Sequence, residues 1–348
     1  MSFLHLRRIL LTAFALASLS HAEDTFHWGI NGHPLTQEGY WQVPLNEQLD
    51  LVKQSGAKWY RISFGAKAFR ANTARFDELL EGAEKRGLKL LPVLMPAGLG
   101  ENKPLEQIRE ESLAFGKEMA ARYKGRITHW ELGNELDNFS MIKKGETASS
   151  GKIWKWDGAP DGSSPDHYET GRYERCREFF KSIQQGLKEA DPKALTMVDT
   201  SGWLHYGFIE RLKQDGAAEF DILAWHWYSE MGDITSVSDK KIDVLALLKE
   251  RYQKPIWFTE INRRDGSKGG KEAEQAEYIS TSIAKLASTE GIAAIFLYEL
   301  LDEPYFSESG ESHYGLVTIE KSSGKWKVER EKPAFEALRK LSGSTPSK

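Results

Sequence analysis

RITHWELGNELDN, residues 126–138, begins as a buried strand and ends in a crowd of acids and amides. Ile127, Trp130 and Leu132 suit a packed pleated surface. Glu131, Asn134, Glu135, Asp137 and Asn138 do not, because buried polar groups are costly unless they are hydrogen-bonded or used. An apolar run that finishes in this way is one unit of a pattern that recurs along the chain.

Seven further β-rich runs flank it: FHWGIN (26–31), WYRISF (59–64), LKLLPVLM (88–95), ALTMVDTS (194–201), FDILAWHWYS (220–229), KPIWFTEIN (254–262) and AAIFLYELLD (293–302). Between them lie amphipathic segments such as LNEQLDLVKQSG, FDELLEGAEKRG and FIERLKQDG, which close on a basic residue and glycine as helices do. Strands alternating with helices imply parallel pairing and right-handed crossovers. Eight such units in about 300 residues predict an α/β fold, a (β/α)8 TIM barrel forming a single domain. An open doubly wound sheet is the rival, but no strand is followed by a glycine-rich phosphate turn, and GLGENK (98–103) lacks the spacing. Near the C-terminus YGLVTIE and KWKVE around SSG predict a small hairpin, and KPAFEALRKL a closing helix.

Residues 1–22 read as a signal peptide: Arg7 and Arg8 precede ILLTAFALASL, and Ser20-His21-Ala22 puts small residues where a peptidase reads. The apolar core is too short to span a bilayer comfortably, so no stable membrane anchor is expected after cleavage. The catalytic domain is then 23–348, and the product is exported, periplasmic or secreted. Its loss of two arginines takes the formal net charge from -4 to -6, which argues against nucleic acid as a partner. Cys176 is the sole cysteine and lies at helical spacing with Tyr173, Phe180, Ile183 and Leu187, which predicts a buried structural thiol.

In a TIM barrel the chemistry gathers at the C-terminal ends of the strands. Asn134 and Glu135 are expected to end the fourth strand, His226 and Tyr228 the sixth and Glu260 the seventh, with Arg61 in the second. Alternation is expected to point Phe258, Glu260 and Asn262 one way. Two glutamates facing across such a mouth suit glycoside hydrolysis, in which one acid protonates the leaving oxygen and an ionised one attacks the anomeric carbon. Glu135 is expected to be kept neutral by apolar surroundings and the neighbouring anion, and Glu260 to be held ionised by Arg61 and Tyr228. A gap of about 5 Å between the carboxyls is the separation of a retaining mechanism.

WELGNE, then WHWY, then IWFTEIN, in this order and on these strands, resembles the glycoside hydrolase clan A superfamily of (β/α)8 retaining enzymes. The resemblance covers nearly the whole mature chain and is closest to family 39-like bacterial glycosidases, including biofilm exopolysaccharide hydrolases. It implies acid/base Glu135, nucleophile Glu260 and Asn134 on the sugar 2-hydroxyl. It also implies Tyr228 and Arg61 as hydrogen-bond partners of the nucleophile, with His226 beside them. The implied activity is double-displacement cleavage of a β-linked poly- or oligosaccharide, with no cofactor and no metal; an endo-acting exopolysaccharide hydrolase is one form of it, and whether the cut is internal or terminal depends on the loops around the cleft. Two departures stand out: Leu136 follows Asn-Glu where many members have proline, and Tyr298-Glu299 stands at the end of strand eight where many have tryptophan.

His33 in NGHP and His205 in SGWLHYG sit where they can touch a sugar. Aromatic faces stack on sugar CH groups. Trp203 is a candidate for this role, as are Trp154 and Trp156 in the long polar segment 140–166, whose length suggests a functional loop. Trp59, Trp130 and Trp257 read as core, Glu131 as a buried hydrogen-bonded residue and Asp137 as a loop acid. Two other functions fit less well: a metal-dependent barrel hydrolase using His226, His205, Asp199 and Glu135, for which the chain has no His-x-His spacing, and a non-catalytic carbohydrate-binding barrel. Nothing in the sequence sets an oligomeric state.

Overall fold

The computed structural model describes residues 26–343 apart from 101, 218 and 308. The signal-peptide reading of residues 1–22 lies outside the described residues. Eight strands close a barrel in sequence order: β1 (His27–Gly32), β2 (Trp59–Gly65), β3 (Lys89–Met95), β4 (His129–Leu132), β5 (Leu195–Val198), β6 (Ile222–Tyr228), β7 (Ile256–Asn262) and β8 (Ile292–Leu297). Every neighbouring pair in the barrel is parallel. The expected (β/α)8 architecture is therefore present. So is the C-terminal hairpin, β9 (Val317–Ser322) and β10 (Lys325–Glu331), followed by a helix over Pro333–Leu341. Among the described residues no helix is long and apolar enough to cross a membrane.

The helices bury their apolar stripes against the outer face of the barrel. The helix Thr170–Ala190 buries Tyr173, Cys176, Phe180, Ile183 and Leu187, so the cysteine is the structural thiol its spacing predicted. That helix lies almost backbone to backbone against Leu105–Tyr123. A Cβ at Gly116 would sit 2.4 Å from the Ile183 carbonyl oxygen, and one at Gly186 would sit 2.2 Å from that of Leu113. Glycine at both contact points permits the approach that fixes the two helices beside β4 and β5.

Inside the barrel, side chains two residues apart on a strand stack in layers. The lowest layer is aromatic: His129 stacks on Trp257 with centroids 5.2 Å apart, and Trp59 meets Trp257 edge-on at 5.3 Å. Leu91, Met197, Ala224 and Phe296 complete this plug. One step up the same strands the layer turns polar, because Arg61 follows Trp59, Glu131 follows His129 and Thr259 follows Trp257. The polar site thus stands on an aromatic floor, in which Trp59 and Trp257 are buried as expected.

Three expectations need correction. β4 stops at Leu132, because Gly133 (φ 86°) and Glu135 (φ 49°) take left-handed backbone conformations that turn the chain out of the sheet. Phe258 does not share a face with Glu260: it packs in the outer core, while a break in the β7–β8 register between Phe258 and Ile261 lets Thr259 and Glu260 both reach inward. Asp137 is not a loop acid but fully buried on the short helix Leu136–Ser140, where it accepts from Ser201 Oγ at 2.6 Å and lies 2.6 Å from His205 Nδ1.

Candidate active site

Arg61 organises the polar layer. Its Nε and Nη2 donate to the two oxygens of Glu131 at 2.8 Å each, the bidentate geometry that suits guanidinium to carboxylate. Its Nη1 donates to Glu260 Oε1 and to Asn31 Oδ1, both at 2.7 Å, and its Nη2 to Asn134 Oδ1 at 2.7 Å. Thr259 Oγ1 gives Glu131 a further donor at 3.0 Å. One buried guanidinium therefore joins strands β1, β2, β4 and β7 and the turn after β4. Glu131 has the structural role its sequence position suggested.

Glu260 is held from both sides, with Arg61 on Oε1 and the Tyr228 hydroxyl donating to Oε2 at 2.8 Å. Burial alone would push its carboxyl up, but the charges of His226 and Arg61, with the Tyr228 hydrogen bond, outweigh burial and hold it below the usual carboxylate range. Burial likewise opposes ionisation of Glu131, and Arg61 overrides it and brings the group down to about 2. His226 shows the complement. Burial works against an imidazolium, yet Glu260, Glu131, Glu135 and Asp199 together hold the ring well above its ordinary value. Burial and the Glu131 anion push Asp199 up instead.

Glu135 stands at the opposite wall. Its Oε1 lies 2.9 Å from His226 Nδ1, its Oε2 accepts from Asn138 Nδ2 at 3.1 Å, and its backbone N–H donates to Asp199 Oδ1 at 3.2 Å. The apolar surroundings expected for Glu135 are thus not what it has, since the turn that carries it out of β4 points it at an imidazole and an amide. A carboxylate oxygen of Glu135 and one of Glu260 lie within 4.8 Å of each other, with the His226 ring between. Left-handed backbone on a non-glycine residue costs of order 1 kcal/mol or more and persists where the surroundings impose it. Glu135 and Trp203 (φ 46°) both adopt it, and both face the same cavity.

That cavity, about 470 Å³, opens above the two glutamates. Tyr228, Tyr298 and Tyr314 meet edge-on to form its wall beside Glu260, with neighbouring centroids 5.5–6.4 Å apart. Trp203 and Asn138 line the Glu135 side. Glu311, which accepts from the Tyr298 hydroxyl at 2.9 Å, and Glu230 add two more carboxylates. A larger cavity of about 730 Å³, lined by Lys188, Lys213 and Lys254 among others, lies at the opposite end of the barrel, by the starts of β6 and β7.

Of the residues singled out from sequence, Glu135, Glu260, Asn134, Arg61, His226 and Tyr228 come together, and Trp203 and Tyr298 line the same cavity. The others fall elsewhere. His33 packs edge-on against Tyr40 and Tyr298, and burial holds it down to about 4. Glu299 is buried behind Tyr298 and accepts from the Tyr40 hydroxyl at 2.6 Å. Trp154 packs against His167, and Trp156 is 69% exposed; neither lines the cavity above the glutamates. His205 is engaged by Asp137, so the four residues of the metal-dependent alternative are not gathered at one point. Sequence reasoning missed Glu311, Tyr314 and Glu230, which lie in connections after β8 and β6 where no periodicity marks a direction. Asn138 was visible as a member of the opening polar crowd but was given no role.

Residues 175–314 match a family model described as glycosyl hydrolase catalytic core. The match takes in His226, Tyr228, Glu260 and Tyr298, and Glu135 precedes it. No curated protein matches the sequence. Among solved structures, a family 39 glycoside hydrolase from Bacteroides cellulosilyticus WH2 aligns at 18% identity and TM-score 0.61, over 91% of this chain and 63% of its own. The chain therefore spans less than two thirds of that protein. A hyperthermophilic beta-glucosidase from Pyrococcus furiosus aligns at 12% identity and TM-score 0.65, over 92% of this chain and 96% of its own. A family 1 beta-glucosidase from Thermotoga maritima aligns at 11% identity and TM-score 0.63, over 92% and 98%. At such identities the likeness is one of fold, and it agrees with the resemblance carried by WELGNE, WHWY and IWFTEIN.

Proposed function

We propose that this (β/α)8 barrel, of which residues 175–314 match a glycosyl hydrolase catalytic core, is a retaining glycosidase acting on a β-linked poly- or oligosaccharide. The observation that carries the reading is the pair Glu135 and Glu260, with carboxylate oxygens within 4.8 Å across one cavity and different partners. Retaining mechanisms use carboxyls about 5–5.5 Å apart, and inverting ones need about 6.5–9.5 Å to admit a water between them.

In the first step an oxygen of Glu260 bonds to the anomeric carbon as the glycosidic bond breaks. The proton of Glu135 passes to the departing oxygen, and a glycosyl ester remains on Glu260. In the second step Glu135, now ionised, takes a proton from water, whose oxygen attacks the same carbon and frees Glu260. Arg61 and Tyr228 fit the nucleophile's task, because they favour its anion before attack and after release. The Tyr228 hydroxyl remains a donor at any working pH, since burial and Glu260 push its pKa well up. Asn134, held by Arg61, is the amide for the sugar 2-hydroxyl. Export through a signal peptide at residues 1–22 belongs to the same proposal, and it would bring the enzyme to polysaccharide outside the cytoplasm.

A reducing-end assay across β-linked polysaccharides tests the activity, and NMR of the first-formed product tests retention. Product with the starting anomeric configuration is expected, and inversion would overturn the mechanism. Glu135→Gln is expected to cleave only substrates whose leaving group needs no proton, such as a dinitrophenyl glycoside. Wild-type cleavage of a natural linkage by this variant removes Glu135 from the acid role.

A further inference from the structure

The connections after β1 and β8 meet behind Tyr298. His33 comes from the first and Glu299 and Glu303 from the second, and none of the three lines the cavity above the glutamates. Each offers one ligand atom, and these atoms all lie within 4.8 Å of one another. Among the described residues no lysine or arginine pairs with either glutamate, and Lys332 nearby is taken by Asp302. Two buried carboxyls therefore converge on an imidazole with no cation of the chain's own beside them.

Two atoms of this group are left over. His33 Nε2 and Glu299 Oε1 are buried without a hydrogen-bond partner, and Glu299 is buried completely. His33 Nε2 lies 3.4 Å from Glu299 Oε2, beyond the ordinary N–H···O range. A tetrahedral ion bound at about 2.0–2.2 Å holds neighbouring ligand atoms about 3.3–3.6 Å apart, so a spacing that is poor for a hydrogen bond is right for a shared ion. The Tyr40 hydroxyl donates to Glu299 Oε2 at 2.6 Å and the Tyr305 hydroxyl to Glu303 Oε1 at 2.7 Å. Such outer partners orient a carboxylate and leave it lone pairs for a metal. The Tyr40 oxygen is fixed in turn by the Leu301 N–H at 2.9 Å, and the Leu300 N–H donates to the Asn31 carbonyl at 3.0 Å, which ties the two connections together.

We propose that His33, Glu299 and Glu303 bind one divalent transition-metal ion of the zinc type, which clamps the connection after β1 to the connection after β8. One imidazole and two carboxylates suit Zn²⁺, whereas Ca²⁺ takes about six to eight oxygens and Mg²⁺ keeps several of its waters. The two carboxylates balance the charge of the ion. Its role is to hold rather than to react: Tyr298 packs edge-on against His33 with centroids 5.9 Å apart, so an ion on the imidazole steadies the tyrosine wall of the catalytic cavity from behind. Metal binding here is independent of the glycosidase reading.

The test uses the purified protein, stripped with a chelator and dialysed, with ZnCl₂ as the probe and CaCl₂ and MgCl₂ as controls. Calorimetric titration is expected to show one Zn²⁺ bound tightly per chain, with Kd of about 1 µM or below, and the controls at least about a hundredfold weaker. Tm is expected to rise by about 5 °C at a hundredfold excess of Zn²⁺ over Kd. His33→Gln and Glu303→Gln are each expected to weaken Zn²⁺ binding by about a hundredfold, at least what loss of an outer partner costs, and to abolish the rise in Tm. Near-UV circular dichroism of both metal-free variants is expected to match wild type. His226→Gln is the control, because His226 belongs to the other compact groups of histidine and acids, with Glu131 and Asp199 and with Glu135 and Glu260; it is expected to keep both the affinity and the shift. No uptake by wild type overturns the proposal, as does uptake that His33→Gln and Glu303→Gln both keep. Uptake lost in His226→Gln alone assigns the ion to the catalytic layer instead, and Ca²⁺ bound as tightly as Zn²⁺ overturns the choice of metal.

Discussion

Two clusters of acids stand around the same barrel mouth and differ in what lies beside them. At the ends of β4 and β7, Glu131 and Glu260 share the Arg61 guanidinium, and His226 sits against Glu260 and Glu135. At the end of β8, Glu299 and Glu303 have phenols for partners, Tyr40 and Tyr305, and a neutral His33 nearby. Only Asp302 there has a cation, Lys332 at 2.7 Å. Burial is common to both, yet Glu131 and Glu260 are shifted down and Glu299, Asp302 and Glu303 up. Glu303 rises to about 7 under burial and the neighbouring acid Glu311, and Glu299 is pushed well above its ordinary value by burial and Glu303. Burial supplies the same penalty to both; a guanidinium within hydrogen-bonding distance decides which cluster carries charge at neutral pH.

The comparison breaks most decisively at its charged end. Glu260→Gln keeps the shape and removes the anion, so turnover is expected to fall by about a thousandfold or more, with an unfolding transition like that of wild type. Measured kcat near wild type would mean that the charged cluster is structural only. Arg61→Met attacks the same cluster through its cation. It leaves Glu131 and Glu260 buried without their partner, and breaking a buried pair in this way costs about 3–5 kcal/mol. Urea unfolding reads this loss, and the double variant with Glu131→Gln is expected to recover part of it. If Arg61→Met alone keeps wild-type stability, the guanidinium does not hold the cluster.

The charged cluster was legible in the sequence and the neutral one was not, for physical reasons. Strands buried on both faces read as apolar runs, and an acid or arginine inside such a run, as Glu131, Glu260 and Arg61 are, announces a partner. Boundaries and facing were less legible. Glu135 read as the last residue of β4, but Gly133 turns the chain two residues earlier. Phe258 and Glu260 read as one face, but the β7–β8 register shift breaks the alternation. Asp137 read as a loop acid because its partners Ser201 and His205 are more than 60 residues away in the chain. Trp154 and Trp156 read as cleft residues because composition marks a loop without giving its direction, and neither lines the cavity above the glutamates. Glu299 follows β8 as a site residue would, yet its side chain turns behind Tyr298 onto Tyr40.

A finer test moves one charge within the active cluster. His226→Gln removes one of the two cations that hold Glu260 down and keeps a hydrogen-bonding side chain. In the proposed mechanism Glu260 must be ionised to attack, so its protonation limits the rate on the acid side. With the imidazolium gone, Glu260 takes up its proton at higher pH, and the acid limb of the kcat/KM profile is expected to move upward by about one pH unit. An unmoved limb would show that Arg61 and Tyr228 suffice, and that the His226 charge serves Glu135 instead.

The smallest effect belongs to the neutral cluster. Glu303 binds its proton more tightly in the folded chain, at about 7, than an ordinary glutamate does at 4.5. Between those values the folded state holds more protons than the unfolded one, so the stability contributed by this group is complete below pH 4.5 and declines as pH rises toward 7. Glu303→Gln removes the titration without removing the polar side chain. The variant is expected to match wild type near pH 4.5 and to exceed its stability by about 3 kcal/mol at pH 7.5, read as a shift in urea midpoint at each pH with a chelator present. The charged cluster does not mimic this trend: Glu131, held down to about 2, contributes fully above pH 4.5 and is lost only as pH falls toward 2. If the stability difference between variant and wild type stays constant from pH 4.5 to 7.5, Glu303 is ionised like its counterparts across the barrel, and the contrast between the two clusters fails.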